Sequence, residues 1–275
     1  MKYHKIKVTI DTPLKPSYFT GSMLRGAMGY ALKKVTCINP SYNCKGCFAQ
    51  DSCLYYSFYE AQNSFHNYRF DIELGSGRFD FTLYLFDEAC DSVAYVLSAL
   101  EMMLTQNGLT KDNNRFENID FTLNDKPIYK NKAFIPFEIA PQIFTIESYS
   151  PDIRLSLLTP LRIKKHNKFL RSDVDIEDIL RSVYQKEQEI EHNQKVFRLD
   201  YTPTYETIEK DLYYKTLIRN SHRQKQKMNM DGVMGEIIIR GLDERSYRLL
   251  KLGEILGVGK QSVMGLGKVR VDYFL

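Results

Sequence analysis

The sequence predicts an α+β protein of two consecutive units, each with the element order β-α-β-β-α-β. Three observations predict it. Apolar residues recur with alternating helical and strand periods in that order twice over. No Gly/Ser-rich or Pro-rich linker separates the halves, and 275 residues suits two ordinary domains of about 150 each. With 43% hydrophobic and 26% charged residues, each half can bury a core, which excludes disordered and collagen-like chains.

In the first half, Lys2 to Asp11 alternates as a strand. Residues 20–35 read as a helix, with Leu24, Ala27, Met28, Ala31, Leu32 and Val35 at i, i+3, i+4 spacing. A cysteine-rich loop follows, then strands at 68–74 and 78–86 joined through Gly75-Ser76-Gly77 as a hairpin. The next helix spans about 88–106, carrying Ala89, Val93, Val96, Leu97, Leu100 and Met103, and stops at Asn107-Gly108. A strand at 115–123 closes the unit.

The second half repeats the plan. A strand at 152–159 precedes a helix at 174–191 with Ile176, Ile179, Leu180 and Val183 in phase. Strands follow at 211–219 and 233–240, and Asp243 opens a helix carrying Leu249, Leu252 and Leu256. A last strand runs from Lys268 to Phe274. The boundary falls where Pro136 and Pro141 interrupt the pattern, giving domains 1–145 and 146–275. The element order is that of tandem ferredoxin-like (RRM-like) domains.

Several function classes lack their residues. Gly257-Val258-Gly259-Lys260 is no Walker loop, because Glu254 and Gln261 stand where Gly and Ser/Thr belong. It is no dinucleotide fingerprint either, with Ser262 in place of the third Gly. No H-E-x-x-H or G-x-S-x-G occurs, and the five His are scattered. No apolar run of about 18 residues suggests a membrane span. The opening MKYHKIKVTID has no hydrophobic signal core, so the expectation is a cytoplasmic protein.

What remains points to a polyanion. Gly257, Gly259, Gly265 and Gly267 lie with Lys260 and Lys268 in one segment between a helix and a strand. Glycine permits positive φ and close backbone approach, so successive N–H groups can face an anion; a plain turn is the alternative. Arg162, Lys164, Lys165, Lys168 and Arg171 form one basic run, and Arg219, Arg223, Lys225 and Lys227 another, against an acidic helix. The net charge of +4 thus hides segregated charge suited to nucleic acid, unless each run is merely a solvated face. On the first helix, Ser22, Arg25, Gly26, Gly29 and Lys33 share the polar face with Tyr30 at its edge. Two glycines there imply close packing by a ligand, another backbone or the second domain, and Arg25 suits a phosphate.

Cys37, Cys44, Cys47 and Cys53 form C-x6-C-x2-C-x5-C, a spacing that fits a structural zinc. An iron–sulfur cluster, reduced thiols or an adventitious disulfide are the alternatives. The odd fifth cysteine, Cys90, reads as a buried single thiol.

Taken in order, these segments resemble a known family. They are Met23-Leu-Arg-Gly-Ala-Met-Gly-Tyr-Ala-Leu32 with the Cys cluster, Tyr55-Tyr56-Ser-Phe-Tyr-Glu60, and Leu158-Thr-Pro-Leu-Arg-Ile-Lys164. Ser221-His-Arg-Gln-Lys225, Asp231-Gly232, Gly235, Val258-Gly-Lys260 and Gly265-Leu-Gly-Lys268 complete the set. The resemblance is to the CRISPR repeat-processing endoribonucleases of the repeat-associated mysterious protein superfamily. It implies binding of CRISPR repeat RNA within a precursor, a single cut by 2′-hydroxyl attack, no metal or cofactor for catalysis, and 2′,3′-cyclic phosphate and 5′-hydroxyl ends. Proteins of a CRISPR effector complex are implied partners, with the chain itself a monomer or homodimer and no membrane involved. Members often carry a His in or just after the first helix; here none stands between Thr20 and Phe65. Tyr30 occupies the place of that His in some relatives. The implied catalytic set is therefore Tyr30, Lys33 with Lys34, and His222, with His66 as a further choice. The implied RNA-binding set is Arg25, Arg162, Lys164, Arg223, Lys225, Gly257, Gly259, Lys260, Gly265, Gly267 and Lys268. Without its His, the alternative is a non-catalytic RNA-binding subunit of an effector complex; outside the family, a zinc-stabilised protein-interaction module.

Overall fold

The computed structural model describes every position except Asn63, Lys111, His166, 222–225 and Leu275, and leaves out the side chains of 220, 221, 226 and 227. The chain divides into two compact units, Met1–Ile143 and Phe144–Leu275.

In the first unit, β1 (Lys2–Ile10), β2 (Tyr68–Asp71), β3 (Phe81–Phe86) and β4 (Ile119–Leu123) form an antiparallel sheet in the order β2-β3-β1-β4. Alternation in β1 sends His4, Ile6, Val8 and Ile10 to the buried face. Against each other pack α1 (Gly21–Thr36), through Leu24, Met28, Ala31 and Leu32, and α3 (Val93–Met102), through Val93, Val96, Leu97 and Leu100. Each such Leu or Ile, once buried, stabilises by about 2 kcal/mol.

The second unit repeats this order. Its strands are β5 (Ile153–Leu161), β6 (Glu206–Lys215), β7 (Gly232–Arg240) and β8 (Val269–Tyr273), arranged antiparallel as β6-β7-β5-β8. The helices α4 (Ile176–His192) and α5 (Glu244–Leu256) pack on each other, with Ile179, Leu180, Val183, Leu249, Leu252 and Leu256 buried. Asp243 caps α5, accepting from the Ser246 N–H at 2.9 Å. Two copies of the same strand order make both units ferredoxin-like, the predicted fold class.

The structure differs from the sequence reading in four places. No tight hairpin forms at Gly75-Ser76-Gly77: β2 ends at Asp71, β3 begins at Phe81, and the Gly75 N–H donates to Tyr18 O at 2.8 Å. The helix expected at 88–106 has a 3₁₀ start (Asp87–Ser92) and a π-type end (Met103–Asn107) around α3. A short helix, α2 (Leu54–Tyr59), was not anticipated. The strand expected at 211–219 is two strands, β6 and the hairpin arm Ile218–Ser221, which pairs with Gln226–Asn229. The chain turns between them because Asp231 Oδ1 takes the Leu217 N–H at 2.8 Å and the Met230 N–H reaches Leu217 O at 2.7 Å. β6 is an exposed sheet edge with a register shift between Thr207 and Glu209. Among the described residues, no helix is long and apolar enough to cross a membrane.

His4 is fully buried, and its Nε2 has no hydrogen-bond partner. Burial holds its pKa below the ordinary value, against the contact of its Nδ1 with the Asn124 amide at 3.1 Å. The unfolded chain takes up this proton at about pH 6.5, so stability is complete above that pH and is lost as pH falls toward the folded value. The thermal midpoint is expected to drop below about pH 6.5, with a shallower drop in His4→Gln. An equal drop in the variant would remove His4 as the cause.

Candidate nucleic-acid interface

In the first unit the polar face of α1 is organised by α2. The Tyr59 ring lies on Gly29, where an added Cβ would come within 2.6 Å of Cε1, and its hydroxyl donates to Arg25 O at 2.8 Å. Tyr59 stacks on Tyr55 with centroids 5.3 Å apart and planes 11° from parallel. The Arg25 guanidinium sits 4.7 Å above Tyr59, and Lys33 Nζ lies 4.8 Å above Tyr55. A cation thus rests on each ring of a stacked tyrosine pair. The close packing expected at Gly29 is supplied by this tyrosine rather than by a ligand or the other domain. Gly26 has nothing within 4 Å of an added Cβ, so no protein group packs close to it among the described residues.

Tyr30 projects from α1 at 60% exposure, with Lys34 Nζ 4.6 Å above its ring. His66 follows α2; its Nδ1 lies 3.1 Å from Ser57 O. A carbonyl only accepts, so Nδ1 carries the proton and Nε2 is left basic. Burial, and then the Arg25 charge, hold its pKa below the ordinary value, against the bond to Ser57 O.

The four loop cysteines do not build the expected zinc site. Among the described residues no three His, Cys, Asp or Glu side chains gather as a metal would require. Cys37, Cys44, Cys47 and Cys53 are free thiols. The Asn39 amide donates to Cys47 Sγ at 3.4 Å, and the Cys37 thiol donates to Asn39 O at 3.7 Å, so Asn39 engages two of the four sulfurs. Cys90 is buried, as expected, and burial pushes its thiol up to about 12.

In the second unit the glycine loop is built of backbone on backbone. Gly267, at φ +68°, would place a Cβ 1.7 Å from Val258 O; Gly259, at φ +77°, would place one 2.6 Å from Arg162 O. Gly257 (φ +67°) ends α5, and Gly265 (φ +82°) ends the 3₁₀ turn Ser262–Met264. The N–H groups are turned inward: Gly257 to Gly253 O, Val258 to Gly267 O, Gly259 to Ser182 Oγ and Lys260 to Arg162 O. Thr159 Oγ1 donates to Gly265 O and accepts from the Lys268 N–H, while the Gly267 N–H reaches Pro160 O. The expected row of N–H groups facing an anion is therefore not formed at these positions. The glycines serve close packing, and the loop offers side chains, with Lys260 exposed and Lys268 half-buried.

Arg162 belongs to this scaffold. It is 7% exposed, donates Nε–H to Gln261 Oε1 at 2.8 Å and a second N–H to Asp231 O, and lies 4.2 Å from the Phe169 ring centroid. Lys164 is exposed beside the same ring at 5.1 Å, on a hairpin of Lys164–Lys165 with Lys168–Phe169. Lys165 is committed to Asp178 at 3.4 Å and Asp175 at 3.8 Å. Arg219 directs its guanidinium to the sulfurs of Met228 and Met264, bringing the hairpin of 218–221 with 226–229 to the glycine loop. His222, Arg223 and Lys225 lie outside the described residues. Sequence reasoning missed Ser182 and Lys186, which hold the loop, and gave Thr159 no role within its quoted segment. The signal for Lys186 was its phase with Ile179, Val183 and Ile190.

Substitutions at the glycines and cysteines test these arrangements. Gly29→Ala must displace Tyr59 and is expected to destabilise by about 2 kcal/mol, as overpacking does. Gly26→Ala, in open space, is expected to stabilise by about 0.5–1 kcal/mol in denaturant unfolding. Cys44→Ser combined with Cys47→Ser is expected to shift stability by no more than about 0.5 kcal/mol. Stoichiometric zinc in the purified protein, absent from that variant along with a collapse in stability, would overturn the free-thiol arrangement.

Residues 155–269 match the family CRISPR-associated endoribonuclease Cas6, and residues 1–138 match a family of N-terminal domains, AF_1859_N. No curated protein matches the chain. Among solved structures, a Cas6 product complex aligns over 99% of this chain and 100% of its own, at TM-score 0.61 and 16% identity. The Cas6 of Thermus thermophilus aligns over 98% of both chains at TM-score 0.55 and 12% identity. A Cas6-related protein from Pyrococcus furiosus does so over 98% of both at TM-score 0.50 and 12% identity. At such identities the structures establish the shared fold. With that fold, residues 155–269, the unit that carries the glycine loop, match the family of CRISPR-associated Cas6 endoribonucleases.

Proposed function

We propose that this endoribonuclease cuts CRISPR precursor RNA within the repeat by metal-independent transfer of the scissile phosphate to the neighbouring 2′-hydroxyl. In that step the 2′-oxygen loses its proton to a base and bonds to phosphorus. The P–O5′ bond breaks and the 5′-oxygen takes a proton, leaving a 2′,3′-cyclic phosphate and a 5′-hydroxyl. The observation that carries the reading is Tyr30, exposed on α1 beneath the Lys34 ammonium. A phenol there can orient the 2′-hydroxyl, while Lys33 and Lys34 offset charge gathering on the phosphate oxygens. Two histidines are proposed for the base: His222, outside the described residues, and His66, whose Nε2 is left unprotonated by the bond at Nδ1. In the second unit, Lys164, Lys260 and Lys268, with Arg223 and Lys225 outside the described residues, are proposed to hold the RNA backbone. Arg25 is proposed for the same role in the first. Supporting this is the exposure of Lys164 and Lys260 around a rigidly packed loop.

Single-turnover cleavage of the protein's own repeat RNA in excess EDTA tests the reading. A discrete cut, abolished by a 2′-deoxy substitution at the site, is expected. Tyr30→Phe should bind normally and cut roughly tenfold slower or worse, in the range of forfeited acid–base and positioning contributions. Whichever of His66→Ala and His222→Ala removes the base should slow the cut roughly a hundredfold or more. Lys260→Ala with Lys268→Ala should weaken binding and lower its salt slope by roughly one for each phosphate no longer neutralised. Tight, salt-dependent binding with no cut would instead identify a non-catalytic subunit of an effector complex.

A further inference from the structure

Lys186 lies in the apolar stripe of α4 and is 2% exposed. Its Nζ donates to Gly257 O at 2.7 Å, to Ser262 Oγ at 3.0 Å and to Leu256 O at 3.4 Å. An ammonium carries three N–H bonds and tolerates burial only when acceptors meet them. Two of these acceptors are carbonyls at the end of α5, where the helix dipole gathers negative charge. The third belongs to the 3₁₀ turn inside the glycine loop. Four residues earlier, on the same face of α4, Ser182 Oγ takes the Gly259 N–H at 2.9 Å. One helix face therefore grips both sides of Lys260, at Gly259 and at Ser262.

A lysine placed only to cap α5 would need no bond to Ser262. That bond ties the helix end to the loop segment that continues through Met264, against which Arg219 rests. We infer that Lys186 is a positioning residue for RNA binding: buried away from RNA, it fixes the glycine loop so that Lys260 and Lys268 are preorganised for the phosphate backbone. The inference rests on the proposed role of those two lysines. Preorganisation acts on affinity by removing the cost of ordering the loop when RNA binds.

A double-mutant cycle on the full chain with fluorescently labelled repeat RNA tests it. Lys186→Met is expected to weaken Kd roughly tenfold while the single-turnover rate at saturating RNA stays within about twofold. Lys186→Arg, keeping charge and donors, should recover most of the affinity. In the Lys260→Ala, Lys268→Ala background, Lys186→Met should add little, because residues acting through one another are not additive. Ser262→Ala, which removes one acceptor and leaves the ammonium in place, should show a smaller effect with the same coupling, and it serves if Lys186→Met fails to fold. Full additivity, or unchanged affinity with only a lowered thermal midpoint, would overturn the positioning role while leaving the loop lysines as RNA contacts. If Lys260→Ala with Lys268→Ala itself leaves affinity unchanged, the loop reading fails and the inference falls with it.

Discussion

The second unit depends on backbone passing over backbone with no side chain between. Gly267 crosses Val258, Gly259 crosses Arg162, Gly232 crosses Leu161 and Gly235 crosses Asp211, each so closely that a Cβ would fall within 2.6 Å of a carbonyl oxygen. Three of these glycines also have positive φ, a conformation that side chains other than glycine adopt only with strain. The crossings let α5 end, the loop return, and β8 begin beside β5 within a dozen residues. They also leave Arg162 surrounded, its carbonyl and guanidinium both committed to the loop. The site's charge is thus mounted on a frame whose shape is set by sterics, with hydrogen bonds from Thr159, Ser182 and Lys186 closing the gaps.

The first unit reaches rigidity by a different route. Its α1 glycine accepts an aromatic ring rather than a peptide, and the Tyr55–Tyr59 stack then fixes Arg25 and Lys33. Cations held over rings have already surrendered freedom on folding, so an anion bound there, as proposed, would cost them little further order.

Much of this was legible in the chain. The helices α1, α3, α4 and α5 and the strands β1, β5, β7 and β8 carry clear periods because they are buried on at least one face, and burial is what writes a period into a sequence. β6 was misplaced because its residues are largely exposed and its pairing is irregular, so alternation at Ile208, Leu212 and Tyr213 breaks down. The glycine loop was found by composition, but glycine counts cannot say whether a carbonyl or a phosphate comes close, and the close carbonyls at Gly259 and Gly267 were not foreseen. The cysteine spacing satisfied a zinc pattern, yet spacing fixes distance along the chain, while Asn39 and the loop turns set where the sulfurs point. Lys186 was passed over because a lysine in an apolar stripe reads as an interruption until its acceptors are seen.

The edge strand β6 has a consequence for solubility. A bare sheet edge is a template on which another chain's strand can grow. Along β6, Glu206, Glu209, Lys210 and Asp211 face solvent, and the register shift between Thr207 and Glu209 breaks the flat ladder that a second strand would need. Lys210 is further held by Asp173 and Asp175 at 2.9 and 3.4 Å, closing part of the edge with an ion pair. The features that hid this strand from pattern reading are the same ones that protect the folded chain against edge-to-edge aggregation.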